Sequence, residues 1–116
     1  MVSPVSRTEV EHIVESGAAV TIVEALGPSY YDAEHLPGAV DLPHDSADET
    51  IAAVLPDPSR PVVVYCSNLA CQNSTVLSRR LVALGYADVR EYEAGKQDWI
   101  EAGLPTESSP APTTVG

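Results

Sequence analysis

Cys66 closes an apolar run, Val62-Val63-Val64-Tyr65, and a polar loop follows it: Ser67, Asn68, Leu69, Ala70, Cys71, Gln72 and Asn73. A helical pattern starts near Ser74. Strand, loop and helix in this order form the geometry that makes a thiol reactive, because backbone N–H groups at a helix start favour a thiolate. A loop of this kind can also curl so that several N–H groups converge on one point and hold an anion without a cationic side chain. Such a thiolate could attack a sulfane sulfur, a disulfide or a phosphate ester. The local pattern equally allows Cys66 to be a small apolar residue that ends a strand, a common fate of free cysteine.

Cys71 lies five positions further along the same loop. As a resolving thiol it would attack a persulfide or sulfenate on Cys66, giving a disulfide and releasing sulfide or water. As a packing residue it would simply face the helix. The distance between the two Cα atoms decides, since a bridge needs about 7 Å or less. Two cysteines fall short of a zinc ligand set, even with His44 folded over the loop, and no metal is expected.

The elements that must position this loop alternate along the chain. Ser6-Arg7-Thr8-Glu9 has the form of a capping box, Val10, Ile13 and Val14 recur at helical spacing, and Gly17 is a stop. Residues 19–24 are β-branched and nearly all apolar, which suits a strand buried on both faces. Residues 28–35 read as a short helix or turn, and residues 36–43 as a turn into a short extended piece whose prolines place it at an edge. Asp45 or Ser46 caps a helix running to Leu55, and residues 61–65 form the strand before Cys66. In the next helix Leu77, Leu81 and Leu84 share one face, with Val76 and Ala83 alongside, and Gly85 ends it. Residues 87–92 alternate as a strand, and Gly95 opens a last helix carrying Trp99 and Ile100. Strands and helices at this spacing imply an α/β fold with a mostly parallel central sheet and helices on both faces, whose ligands sit at the carboxyl ends of the strands. Cys66 falls at such an end.

Composition bounds the rest. The 116 residues make one domain, long enough to bury a core without staples. Seventeen acidic and six basic residues give a net charge of -11, which argues against nucleic acid and against anionic membrane surfaces. Two cysteines do not make a secreted disulfide framework. No run approaches the ~20 apolar residues of a membrane span, and acidic residues interrupt the N-terminal segment where a signal peptide would be apolar, so a cytoplasmic location is expected. The boundaries predicted are a domain over residues 5–106 and a disordered tail over 107–116, rich in Ser, Thr, Pro and Ala.

Several stretches together resemble the rhodanese family of sulfurtransferases. Thr21-Ile22-Val23-Glu24-Ala25 resembles its first core strand, and His35-Leu36-Pro37-Gly38-Ala39 its G-H-I-P-G-A segment. Val63-Val64-Tyr65-Cys66 resembles the catalytic strand and cysteine, and Leu84-Gly85-Tyr86-Ala87-Asp88-Val89 the helix end and next strand. Glu93-Ala94-Gly95, Trp99 and Ala102-Gly103-Leu104-Pro105 resemble the closing motifs. The likeness implies a three-layer rhodanese-like fold and a cysteine that carries sulfane sulfur as a persulfide. It assigns the nucleophile to Cys66 and the persulfide cradle to Ser67, Asn68, Leu69, Ala70, Cys71, Gln72, Asn73 and Ser74, with Ser74 capping the helix. The implied partners are a small sulfur donor or a persulfidated protein, and a thiol acceptor; no cofactor is implied. His35 is expected to be structural.

The departures bear on substrate. The family's loop carries Arg followed by Ser or Thr, and here Asn73 takes the Arg position before Ser74. No Arg, Lys or His lies between Cys66 and Ser78, the loop lacks the usual Gly, and Glu24-Ala25-Leu26 replaces D-x-R. A loop without cations should bind the thiosulfate dianion poorly. Phosphatase relatives need a loop Arg, which excludes that activity. The competing expectation is a rhodanese fold that binds or regulates, with Cys66 and Cys71 as a redox-sensing pair.

Overall fold

The computed structural model describes residues 2–108. Its elements run β1 (Val2–Pro4), α1 (Arg7–Ser16), β2 (Thr21–Glu24), α2 (Pro28–Ala33), β3 (Val40–Asp41), α3 (Asp48–Val54), β4 (Val62–Tyr65), α4 (Asn73–Ala83), β5 (Val89–Tyr92) and α5 (Gly95–Glu101). The five strands form one sheet in the order β1-β5-β4-β2-β3, and every pairing is parallel. β4 is central and buried along its whole length. Its residues alternate between two cores, as the pleat requires. Val62 and Val64 join Leu77 and Leu81 of α4 and Ile51 of α3 on one face. Val63 and Tyr65 join Val10 of α1 and Trp99 of α5 on the other.

The capping box at Ser6 and Glu9 forms, with the Ser6 hydroxyl accepting from the Glu9 amide and Gly17 left-handed at the C-cap. The proline-rich segment supplies only the two-residue edge strand β3. His35 is buried and structural: its Nδ1 lies 2.8 Å from the Tyr31 carbonyl and its ring stacks on Tyr31.

Several boundaries differ from the expectation. β1 lies before residue 5 and pairs with β5, so the folded unit begins earlier. The run of three residues at positions 2–4 carries no periodicity that could mark it as a strand. Neither Asp45 nor Ser46 caps α3: Ala47 takes that place without a side-chain bond, and the Ser46 hydroxyl donates to the Pro43 carbonyl. Asp48 and Glu49 complement the helix dipole there instead. Glu107 pairs antiparallel with His35 and accepts the Gly38 N–H, so the fold holds one residue assigned to the tail. The remainder of that tail, from residue 109, lies outside the described residues.

The face of α4 also differs. Leu84, the C-cap of the helix that ends at Ala83, is exposed. The buried stripe is Ser74, Leu77, Ser78 and Leu81. Burying Leu77 and Leu81 against β4 therefore turns Ser74, at the same helical spacing, inward beneath the loop.

Candidate active site

Cys66 follows β4 directly and is almost wholly buried. The loop behind it is held by the start of α5. The Lys96 N–H donates to the Cys66 carbonyl and the Gln97 N–H to the Ser67 carbonyl, each at 2.8 Å. This approach leaves no room for a side chain at residue 95. Gly95 has φ +75°, and a Cβ there would lie 2.6 Å from the Cys66 carbonyl oxygen. Gly95→Ala should cost about 1–3 kcal/mol through strain and a displaced Cys66 backbone. Thermal unfolding measures the loss, and Cys66 alkylation should change with it.

Within the loop, the Asn68 side chain accepts the Ala70 N–H and its carbonyl accepts the Cys71 N–H. Those two amides are therefore spent on loop shape. Leu69 projects into solvent, and the Asn68 amide group donates to Gln97. The N–H groups that face sulfur are those of Ser67, Asn73 and Ser74. All three are among the eight residues expected to form the cradle.

Ser74 is not the helix cap. Gln72 occupies that position, and Ser74 sits inside the first turn. Its hydroxyl instead joins Cys66 to a buried carboxylate. The Cys66 Sγ donates to Ser74 Oγ at 3.3 Å, with the Cys71 carbonyl as a second acceptor at 3.4 Å. Ser74 Oγ donates to Glu91 Oε2 at 2.7 Å, and Thr75 Oγ1 donates to the same oxygen at 2.7 Å. Glu91 also lines a cleft of about 310 Å³ with Val2, Pro4, Thr75, Arg79 and Glu93. Arg79 thus belongs to this cleft, not to the thiol loop.

The two cysteines are unequal. Burial pushes the Cys66 thiol above its ordinary value, and contact with Cys71 adds to this, while Ser74 pulls in the other direction. The thiolate expected at Cys66 is therefore not the resting form. Burial also works against the Cys71 anion. It is outweighed by donors that converge on that sulfur: the Cys66 thiol, the Asn73 and Ser67 amides and the Ser67 hydroxyl. The Cys71 thiol is lowered as a result. Both cysteines are free, and Cys71 is the more exposed.

One cation beside the loop escaped the sequence reading. Lys96 Nζ donates to Glu24 Oε1 at 3.2 Å, to the Tyr30 carbonyl at 3.0 Å and to the Glu34 carbonyl at 2.6 Å. The Tyr65 hydroxyl donates to the other Glu24 oxygen at 2.7 Å. An ammonium has three N–H donors, and these contacts use all of them. Glu24 is fully buried and anchors this network through its bonds with Tyr65 and Lys96. The signal was available: a lysine in the first turn of a helix opposes the helix dipole and needs a carboxylate from elsewhere. Glu91 gave less signal, since an acidic residue in a four-residue strand usually faces solvent.

A parallel sheet that delivers a cysteine into a strand–loop–helix turn defines the class of domain. The chain belongs to the rhodanese-like domain family, whose description matches residues 6–102. It is 33% identical over 81 residues to the thiosulfate sulfurtransferase PspE of Escherichia coli, covering 70% of this chain and 75% of that protein. It is 29% identical over 103 residues to an HTH-type transcriptional regulator of Mycobacterium tuberculosis, covering 89% of this chain but only 44% of the regulator. Among solved structures, a Bacillus halodurans protein superposes with a TM-score of 0.85 at 19% identity, covering 92% of this chain and 77% of that one. A rhodanese-like domain from Anabaena superposes with a TM-score of 0.79 at 26% identity, covering 100% and 89%. No helix among the described residues is long and apolar enough to cross a membrane.

Proposed function

We propose that this domain is a sulfurtransferase that carries sulfane sulfur as a persulfide on Cys66 and passes it to a thiol acceptor. The observation that carries this reading is the chain from the Cys66 thiol through Ser74 to the buried carboxylate of Glu91. A buried thiol must lose its proton to react, and this chain gives the proton a destination. The Cys66 proton passes to Ser74 Oγ as the Ser74 proton passes to Glu91 Oε2. The Ser74 hydroxyl then donates to the new thiolate. The thiolate attacks the outer sulfur of a persulfide donor, the donor S–S bond breaks, and the donor leaves as a thiolate. An acceptor thiolate next attacks the outer sulfur on Cys66, and Cys66 recovers its proton.

Charge favours a persulfide over thiosulfate as donor. The loop has no cation, Lys96 is fully engaged, and the cleft of about 330 Å³ beside the loop carries Asp98 and Glu101. A dianion gains little there. Two free thiols also suit a reducing compartment such as the cytoplasm.

Intact-mass measurement after exposure to sulfur donors tests the reading. With Cys71 replaced by serine, so that Cys66 is read alone, the protein should gain one sulfur, and adding Cys66→Ser should abolish the gain. Absence of uptake by the Cys71→Ser protein from thiosulfate, glutathione persulfide and polysulfide alike would remove the proposal.

A further inference from the structure

The carrier role leaves Cys71 without work, yet the loop spends its best anion donors on it. Cys66 Sγ lies 3.4 Å from the Cys71 carbonyl oxygen, and the Ser67 and Asn73 amides and the Ser67 hydroxyl favour the Cys71 anion. In a loop with a single cysteine, such donors would face the outer sulfur of a persulfide. Here a second thiol of the chain already fills that place. It is the more exposed of the two, while the wall behind Cys66 is closed by the start of α5.

We infer that Cys71 is the internal acceptor of the persulfide on Cys66, so that the domain releases sulfide and closes to a Cys66–Cys71 disulfide. The inference rests on the persulfide reading above and deepens it by naming the first acceptor. The Cys71 thiolate attacks Cys66 Sγ. The bond from Cys66 Sγ to the outer sulfur breaks as the bond between the two cysteine sulfurs forms. The outer sulfur takes the electron pair and leaves as hydrosulfide, which carries one proton. The sulfane sulfur is reduced by two electrons, and the two cysteine sulfurs are together oxidised by two. No oxidant beyond the donated sulfane sulfur is needed.

Geometry and reactivity agree with this step. Cys66 Sγ lies 3.4 Å from the Cys71 carbonyl oxygen, so the two residues meet across a loop whose turn is set by Asn68. The attacking thiol is the one whose surrounding donors favour the anion, which is the form that exchanges. Returning the site to its starting state needs two reducing equivalents, which marks the class of partner as a thiol reductant, either one dithiol or two monothiols acting in turn.

The test treats the reduced protein with one equivalent of glutathione persulfide and follows released sulfide and intact mass. The wild-type chain should release one sulfide and finish two hydrogens lighter, and dithiothreitol should restore it for another round. Cys71→Ser should finish one sulfur heavier and release none, and Cys71→Ala should behave alike if the serine hydroxyl is idle. Persulfide loading of these variants itself reports an intact loop. A wild-type chain that finishes one sulfur heavier without sulfide release overturns the inference and leaves the carrier reading standing. Sulfur uptake by neither wild type nor variant removes both.

Discussion

Lys96→Met should destabilise the fold by about 3–5 kcal/mol at neutral pH, the usual cost of removing one partner from a buried ion pair. Lys96 is nearly enclosed, and the Glu24 side chain it faces is fully buried. The substitution strands the Glu24 carboxylate with a single donor, the Tyr65 hydroxyl. It also removes the Lys96 donor from the carbonyls of Tyr30, within α2, and of Glu34, at its C-terminal cap. Denaturant unfolding measures the loss. A change below about 1 kcal/mol would show that solvent screens this pair as it screens surface pairs. The double variant Glu24→Leu with Lys96→Met should recover part of the stability, because it removes the stranded charge.

The same pair fixes a pH dependence. Burial raises the Glu24 carboxyl above its ordinary value, against the pull of the Tyr65 hydroxyl and of Lys96. The folded chain therefore holds the Glu24 proton to higher pH than the unfolded chain does. Stability from this group is fullest below the ordinary glutamate value of about 4.3 and falls as pH rises through the raised one. Without Lys96 the carboxyl rises further. The deficit of Lys96→Met should thus be smallest in acid and grow toward neutral pH, where the charge must be buried alone.

The parts of this fold that sequence discloses are those governed by local chemistry. The capping box at Ser6, the glycine stop at Gly17 and the β-branched runs ending at Glu24 and Cys66 each impose structure within a few residues. The order of these parts was enough to reveal the family. What escaped depends on contacts distant in sequence. β1 exists because β5 offers it an edge. Ser74 looks like a cap from its neighbours, but packing of Leu77 and Leu81 turns it toward Cys66 and Glu91. Lys96 and Glu24 lie 72 residues apart. Within the loop after Cys66, Asn68 consumes the Ala70 and Cys71 N–H groups locally, a demand set by the fold of the loop and not by its composition.

Glu91→Gln should slow the reaction of Cys66 about 100-fold or more while leaving the fold intact, the range lost when a general base is removed. Gln keeps the shape of the side chain and can still accept from Ser74 and Thr75, so packing is preserved. It cannot take the proton that Ser74 passes on. Cys66 would then lose its proton only to hydroxide, against the burial that already pushes its thiol up. The measurement is the rate of Cys66 persulfidation or alkylation across pH, made in a Cys71→Ala background so that one thiol is read. In the variant the rate should climb in proportion to hydroxide, and with Glu91 in place it should depend on pH less steeply. Ser74→Ala should reproduce the loss, because it cuts the same path between Cys66 and Glu91. The two substitutions together should cost no more than either alone, since a broken relay cannot be broken again. Equal pH profiles for the Cys71→Ala protein with and without Glu91→Gln would show that the proton leaves Cys66 by another route. The bond from Ser74 to Glu91 would then serve only to hold α4 against β5.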